Sequence, residues 1–456
     1  MKKYILYLLF FAGFNFGCKK FTTIDFPINQ VGSKAVFESD ATAAGAVRGM
    51  YSEMMSNPNQ FTTCALTFFA GLTADEMTYY QPSFRDEFIR NDISFQNHTV
   101  ISGQFWDVAY KYIYVCNVNI EGLTASTKLS EAVKNRLLGE CYYIRAFCYF
   151  NLVNLIGGVP LALHTDYRLN ATLSRASDTA VYEQVKADLL KAVNLLPLSY
   201  ELPDKAAPNK AAAQALLAKL YLYRAQWQDA KQMSSEIIGD GIYSLPQDLN
   251  SVFLKNSNET IWQLAPTIPT RNSWEGFYFN PNSNNSVPTY ILRSGLLESF
   301  ETGDLRKINW IKQRNYAGHS IIYPYKYKVK MNSNVTEYQV VMRLAEVFLI
   351  RAEAYARLNQ VAEAVADINL IRERAGLIEV NSNISQDSCM KLVKKERRNE
   401  MFCEWGNRWY DLKRWGDANL VLGLLKGDSW DSTDALWPIP HTQIELNPNL
   451  QQNPGY

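Results

Sequence analysis

The chain of 456 residues carries 46 basic and 45 acidic side chains, a net charge of +1. It therefore lacks the broad positive field that nucleic-acid binding needs. Hydrophobic residues at 47% and charged residues at 20% exclude wholesale disorder, and the length calls for one large domain or two or three intimate ones.

In chain order, the first segment reads as an export signal. Lys2 and Lys3 precede an apolar run from Tyr4 to Phe14, and Gly17 stands directly before Cys18. A basic start, a short apolar stretch and a small residue at the cut are the parts of a secretory signal, and the run is too short to span a bilayer. Cys18 occupies the position that carries the acyl chains of a bacterial lipoprotein. Asn15 and Phe16 depart from the aliphatic and small residues usual there, which leaves an ordinary signal peptide as the alternative. Several acyl chains on the new N-terminus give a firm anchor where one holds only marginally.

Beyond this signal, Ala43, Ala46, Val47, Met50, Tyr51 and Met54 form an apolar stripe that predicts a helix over 41–55. Further helices are predicted over 105–123 and 129–154. The latter stops at Gly157-Gly158-Val159-Pro160, where Gly permits a left-handed cap and Pro forbids continuation. Residues 211–238 read as two helices around a turn near Arg224–Trp227. There Ala218 and Ala230 let the helices approach, with the Tyr221 ring between them. The same spacing recurs at Ala352, Tyr355 and Ala364, with a turn at Leu358–Gln360, which is what tetratricopeptide-type helix pairs look like.

Between these blocks, about 239–340, Pro, Asn, Ser and Gly become frequent and helical periodicity disappears; Tyr323 to Lys330 alternates like a short strand. Such long irregular stretches inside a folded chain are usually functional. The last helix is predicted over 386–404, followed by an aromatic turn from Trp405 to Trp415 and an extended, Pro-rich tail. Cys64, Cys116, Cys141, Cys148, Cys389 and Cys403 have neither zinc-site nor disulfide-scaffold spacing and read as free core thiols. His98, His164, His319 and His441 are scattered, so neither a metal nor a cofactor is expected.

The C-terminal third carries a run of ordered motifs. They are Met342-Arg343-Leu344-Ala345-Glu346 through Arg351-Ala352-Glu353-Ala354, Arg372-Glu373-Arg374-Ala375-Gly376-Leu377, Glu396-Arg397-Arg398-Asn399-Glu400, Arg408-Trp409-Tyr410-Asp411-Leu412-Lys413-Arg414-Trp415, Trp437-Pro438-Ile439-Pro440 and Asn453-Pro454-Gly455-Tyr456. With Cys18-Lys19-Lys20-Phe21 and Gly157-Gly158-Val159-Pro160-Leu161 earlier, the sequence resembles the SusD/RagB family of Bacteroidetes outer-membrane nutrient-binding lipoproteins across nearly the whole mature chain.

The resemblance implies a mostly α fold: tetratricopeptide-like hairpins form a SusD-like scaffold, with an irregular loop-rich ligand-facing region and few short strands. The divisions are a signal at 1–17, an N-terminal helical region at 18–240, a loop-rich insertion at 241–340 and a C-terminal region at 341–456, with 18–456 one compact unit. It also implies a lipid anchor in the outer membrane facing the cell exterior, and a SusC-like TonB-dependent transporter as partner. The expected ligand is an oligosaccharide or, in some members, a peptide. Arg343, Glu346, Arg351 and Glu353 lie at helical spacing that permits charge pairing between turns or across helices. Trp409, Trp415 and Trp437 read as core or interface anchors.

Ligand residues cannot be carried over by motif, so the candidates are rings in irregular polar segments. Tyr79, Tyr80 and Phe84 follow Asp75 in the first loop. Trp274, Phe277, Tyr278 and Phe279 stand in the Asn-rich loop, with Trp310 and Tyr316 beyond. Flat rings flanked by Asp75, Arg271, Asn272 and Asn282 suit sugars, which present an apolar C–H face and many hydroxyls. A glycoside hydrolase would need two carboxylates across a cleft, and no hydrolase motif stands out; the expectation is a binding protein and not an enzyme. A tetratricopeptide scaffold binding only proteins is the other alternative, and it has no need of the aromatic insertion.

Overall fold

The computed structural model describes residues 35–94, 99–283 and 285–456; the signal segment and Cys18 lie outside the described residues. Helices of eight residues or more are numbered here in chain order. Helix α1 (Asp40–Ser56) starts at Ser39, whose hydroxyl accepts the Thr42 N–H, and buries Ala43, Val47, Met50, Tyr51 and Met54, the face its stripe predicts. Helix α2 (Ala65–Thr73) is buried on all sides. A π-helical turn, Ile101–Trp106, leads into α3 (Asp107–Ala125), so the predicted start at Phe105 falls in that wider turn.

Helix α4 (Glu131–Ile156) is the spine of the N-terminal half, buried almost continuously from Leu137 onward, and packs against α1, α3 and α5 (Asp178–Leu195). It ends where the sequence places the stop. Gly157 takes φ 84°, and a Cβ on Gly158 would lie 2.2 Å from the Ala176 carbonyl oxygen, so only glycine fits this approach. Arg145 of α4 forks onto Asp188 of α5 with bonds of 2.8 and 2.7 Å.

The two predicted hairpins are α6 (Lys210–Tyr223) with α7 (Trp227–Gly239), and α8 (Leu344–Arg357) with α9 (Val361–Arg374). Their turns share a backbone. The Gln226 N–H donates to the Tyr221 carbonyl and the Gln360 N–H to the Tyr355 carbonyl, each at 2.8 Å. The residue before each glutamine, Ala225 or Asn359, is left-handed at φ 57° or 60°. The recurrence of Ala218, Tyr221 and Ala230 at Ala352, Tyr355 and Ala364 thus reports one repeated unit.

Helix α10 (Gln386–Met401) stops before the predicted Glu404. The stretch 405–415 is not an aromatic turn throughout. A tight reversal with Cys403, Trp405 and Gly406 at positive φ feeds α11 (Asn407–Arg414), followed by α12 (Ala418–Lys426) and a short helix His441–Leu446 in the predicted extended tail.

The strands, β1 (Met77–Tyr79), β2 (Thr260–Leu264), β3 (Tyr290–Leu292), β4 (Ile311–Tyr316), β5 (His319–Pro324) and β6 (Gln339–Arg343), form three antiparallel pairs, β1–β3, β2–β6 and β4–β5. The strand expected over 323–330 breaks at Pro324. Beyond it Lys326 turns inward to Glu404, and the Glu337 carboxylate takes the N–H groups of Lys328 and Val329 in place of a strand partner. One apolar core runs from Phe37 to Leu450, with a smaller cluster between α8, α9 and α10. All six described cysteines are free and buried.

The charged motifs of the C-terminal third close on one another across helices. Arg343 meets Glu259 and Glu400 at 2.8 and 2.6 Å and Glu404 at 2.8 Å. Arg374 also pairs with Glu259 and Glu400, and Arg306 with Asp304, Glu396 and Glu400. A second network, matched charge for charge, joins Lys219, Arg397 and Arg414 to Glu346, Asp411 and Glu353. The expected pairing of Arg343, Glu346, Arg351 and Glu353 is therefore between helices. Arg351 binds Asp367 of α9, and Glu353 accepts from both Arg414 and the Trp415 N–H.

Burial opposes ionisation of Glu346, Glu353 and Asp411, but the facing cations outweigh it and hold all three below the usual carboxylate range. Two enclosed acids behave oppositely. Burial, reinforced by Asp75, raises Glu76 to about 7. Burial raises Glu275 to about 8 against a 2.6 Å hydrogen bond from the Thr67 hydroxyl.

Truncating Arg397 to Met leaves Glu346 and Asp411 short of a buried partner and is expected to cost about 3–5 kcal/mol in urea unfolding. Lys111→Met, at the exposed pair with Glu53, is expected to leave the midpoint almost unchanged. An equal effect of the two would contradict the interior role of the network.

The pH dependence separates the two classes of acid. The depressed acids add stability above their unfolded values that is lost on acidification. Between an ordinary value of 4.5 and about 8, folded Glu275 holds a proton that the unfolded chain releases, so its contribution falls as pH rises. Glu275→Gln removes that fall. Its stability relative to the parent should improve from about pH 5 to about pH 9, and unfolding midpoints that keep a constant gap would refute this.

Candidate ligand-binding site

The ring-bearing loops assemble on α2. Its Phe68 stacks on Tyr290 of β3 at 4.3 Å and meets Tyr278 and Phe279 edge-on at 5.7 and 5.1 Å. Phe69 packs on Phe88 and reaches Phe84 at 6.4 Å. Pairing of β1 with β3 sets Tyr79 opposite Tyr290, with ring centroids 5.3 Å apart. Tyr80, the next residue, meets Tyr316 at the tip of the β4–β5 hairpin at 6.0 Å. The Asn-rich loop opens with a short helix, Trp274–Phe279, capped by the Ser273 hydroxyl, which accepts the Gly276 N–H at 2.9 Å. This turn sets Phe277 against Tyr278 at 5.2 Å.

Cations lie over these rings. The Arg85 guanidinium is 4.6 Å from the Tyr79 centroid and 4.4 Å from that of Phe84. Arg271 stands 4.0 Å from the centroids of both Trp274 and Phe277, and Lys330 stands 4.1 Å from Phe277. Such contacts contribute roughly 0.5–1 kcal/mol each at exposed sites. Their larger consequence is orientation, since a cation over one face restricts the tilt of Tyr79, Phe84, Trp274 and Phe277.

Tyr79, Tyr80, Phe277, Tyr278 and Tyr316 are half-buried, and Phe84 is 51% exposed. Segments 77–85 and 271–280 and the 316 hairpin tip thus present rings around one foundation, Phe68 and Tyr290. Several sequence candidates are committed to the interior, among them Phe279, which is 3% exposed and packs on Phe68 and Tyr290. Trp310 is 0% exposed, donates its N–H to the Leu249 carbonyl at 3.0 Å and packs on Phe253; it offers no face to a ligand. Asp75 is 6% exposed and is shared by Arg398 and Arg408 at 2.7 Å each. Burial raises its pKa, but the two arginines outweigh that and hold it ionised. Trp274 is 4% exposed, with its N–H on the Met55 carbonyl and Arg271 across it, so it supports Phe277 and not a ligand.

Asn272 is likewise committed, its side-chain oxygen accepting the Thr336 and Glu337 N–H groups at 2.9 Å, whereas Asn282 is exposed. The sequence reading passed over Arg85, Lys330 and Tyr290. Arg85 follows the flagged Phe84 directly and was within reach of that reading. Tyr290 and Lys330 join the array only through strand pairing and a loop return. Glu76 and Glu275, which adjoin ring-bearing segments, are both enclosed, whereas Asp86 and Glu87, directly after Arg85, are half-buried. Among the described residues no group of three or more His, Cys, Asp or Glu is placed to hold a metal ion, and no helix is long and apolar enough to cross a membrane. Chemically, the arrangement offers flat apolar faces rimmed by hydroxyls and guanidinium groups, which suits adsorption of a polyhydroxylated chain.

The model of the SusD family matches residues 271–456, and that of a family described as starch-binding and associating with the outer membrane matches residues 33–222. SusD-like protein P25 of Formosa agariphila is 25% identical over 97% of both chains. A SusD superfamily crystal structure from Bacteroides vulgatus superposes with TM-score 0.80 at 22% identity, over 92% of this chain and 100% of that one. A laminarin-binding SusD-like protein superposes with TM-score 0.78 at 22% identity, over the same shares. Two family matches fall on the two ends of one continuous core, and a relative's length is spanned almost completely: the chain belongs to the SusD/RagB family.

Proposed function

We propose that this protein is a cell-surface lipoprotein, anchored in the outer membrane through Cys18, that binds a nutrient glycan and passes it to a SusC-like TonB-dependent transporter. The observation that carries the glycan reading is the array of half-exposed rings at Tyr79, Tyr80, Phe84, Phe277, Tyr278 and Tyr316, of which Tyr79, Phe84 and Phe277 are braced by cations and the others by neighbouring rings. Pyranose rings stack their C–H faces on such planes while Arg85, Arg271 and the tyrosine hydroxyls take their hydroxyl groups. The matched family's description as starch-binding and the laminarin-binding neighbour support the same reading. Peptide capture is the second reading, favoured by the two arginines on the array, which would pair with carboxylates. The reaction class is binding without turnover, a reading supported by the matched families, described as SusD and as starch-binding.

Titrating a glycan panel and a peptide panel into the lipid-free chain 19–456 by calorimetry tests this. Tyr278→Ala and Phe277→Ala are expected to weaken glycan binding by about tenfold each, roughly 1.4 kcal/mol, with the fold intact by circular dichroism. Unchanged affinity in both variants would remove the array from the site. The anchor and the partner are tested together in the native host. The parent protein should partition with the membrane and co-purify with a β-barrel transporter in mild detergent, and Cys18→Ser should release it to the soluble fraction. A Cys18→Ser protein that stays membrane-bound would end the lipid assignment.

A further inference from the structure

A hollow of about 900 Å³ opens between the end of α4, the start of α5, α11 and the C-terminal tail, and it shares no residue with the ring array. Its size is that of a small-molecule pocket. Tyr182 and Tyr223 supply ring surface, with the buried Tyr410 behind them, and the tail adds the amides of Asn449, Gln451 and Gln452.

The charges in its wall do not balance. Lys413 donates to the Asn154 carbonyl and stands 5.0 Å from the Trp409 ring centroid, with no carboxylate partner. Arg175 is held by neutral acceptors only, at 2.7 Å from the Gly158 carbonyl, 2.8 Å from the Gln451 carbonyl and 2.7 Å from the Asn453 side-chain oxygen. Arg224 is exposed and lies 4.9 Å from the Tyr182 ring centroid. Arg414, also in the wall, is matched by Glu353 and Asp411. Against the three unmatched cations the described lining contains one carboxylate, Asp178, which is exposed.

This contrasts with the motif arginines of α8, α10 and α11. There Arg351, Arg397, Arg398, Arg408 and Arg414 each meet a carboxylate. The first turn of α5, an 18-residue helix, adds its partial positive charge at the same opening. Burial alone lowers Lys413 to about 7, the mark of a cation left without a counter-charge; an anion beside it would restore its proton. The Tyr223 hydroxyl, buried in the same wall, has no hydrogen-bond partner.

We propose that this hollow is a second ligand site that takes an acidic sugar, its carboxylate or sulfate held between Lys413 and Arg224 and its ring lying against the tyrosines. A neutral sugar would leave the excess positive charge unanswered, and a bare ion would leave most of the volume empty. The site is independent of the ring array and of whatever that array binds.

Calorimetric and NMR titration of the chain 19–456 with glucuronate, glucose 6-sulfate, glucose and inorganic sulfate tests the proposal. At least one of the two acidic sugars should bind saturably and glucose should not, with the preferred arm identifying the anionic group. Arg224→Ala and Lys413→Met should each weaken that binding by about tenfold or more, while Tyr278→Ala leaves it unchanged. Arg224 is exposed, so its variant reports even if Lys413→Met fails to fold. Equal binding of glucose, binding of inorganic sulfate as tight as that of the acidic sugars, failure of both acidic sugars to bind, or full affinity in Arg224→Ala would each overturn it.

Discussion

The protein is organised around carboxylates of α10 and its flanking turn that have been taken out of water. Glu400 lies among Arg306, Arg343 and Arg374, Glu396 bridges Arg306 to Arg372, and Glu404 receives Lys326 and Arg343. A buried charge is tolerable only beside its partner, so these contacts tie β6, α9 and α10 together, and removing one partner alone leaves an unmatched charge in the interior. That is the physical content of the ordered motifs. Most of their charged residues are fixed points of the interior, and few are contacts for a ligand.

The ligand-facing loops inherit their positions from this frame. Asp75, two residues before β1, is gripped by Arg398 of α10 and Arg408 of α11, so the strand carrying Tyr79 emerges from a fixed point. The Thr67 hydroxyl of α2 donates to Glu275 and accepts the Trp405 N–H at 3.1 Å, joining the floor of the array to the reversal before α11. The rings therefore stand on a polar foundation, and the Arg85 and Arg271 contacts complete what the foundation begins.

The helical hairpins were legible because small residues and a ring at fixed spacing leave a trace whatever surrounds them. Helix α5 left a fainter one. Val181, Val185, Leu189 and Ala192 make its buried stripe, and Ser177 caps it, yet Asp188 interrupts the pattern with a charge that only Arg145 explains. The aromatic loops lie together in space, but Trp310, Asp75 and Trp274 are drawn into the interior. Nothing in the chain near Trp310 announces the Leu249 carbonyl that claims its N–H, or near Asp75 the two arginines more than three hundred residues away. Loop aromatics and loop acids read alike whether they face solvent or carry a long-range contact, because the deciding partner is distant in sequence.

The grip of α10 and α11 on Asp75 also shapes what can exist as a partial product. The rings of the array come from the middle and early parts of the chain, but Arg398 and Arg408, which hold the base of β1 through Asp75, come from its last sixty residues. A polypeptide lacking that end would keep every ring of the array yet leave the Asp75 carboxylate buried without its two cations. The early part of the chain therefore carries a charge whose cost is met only when the final helices dock.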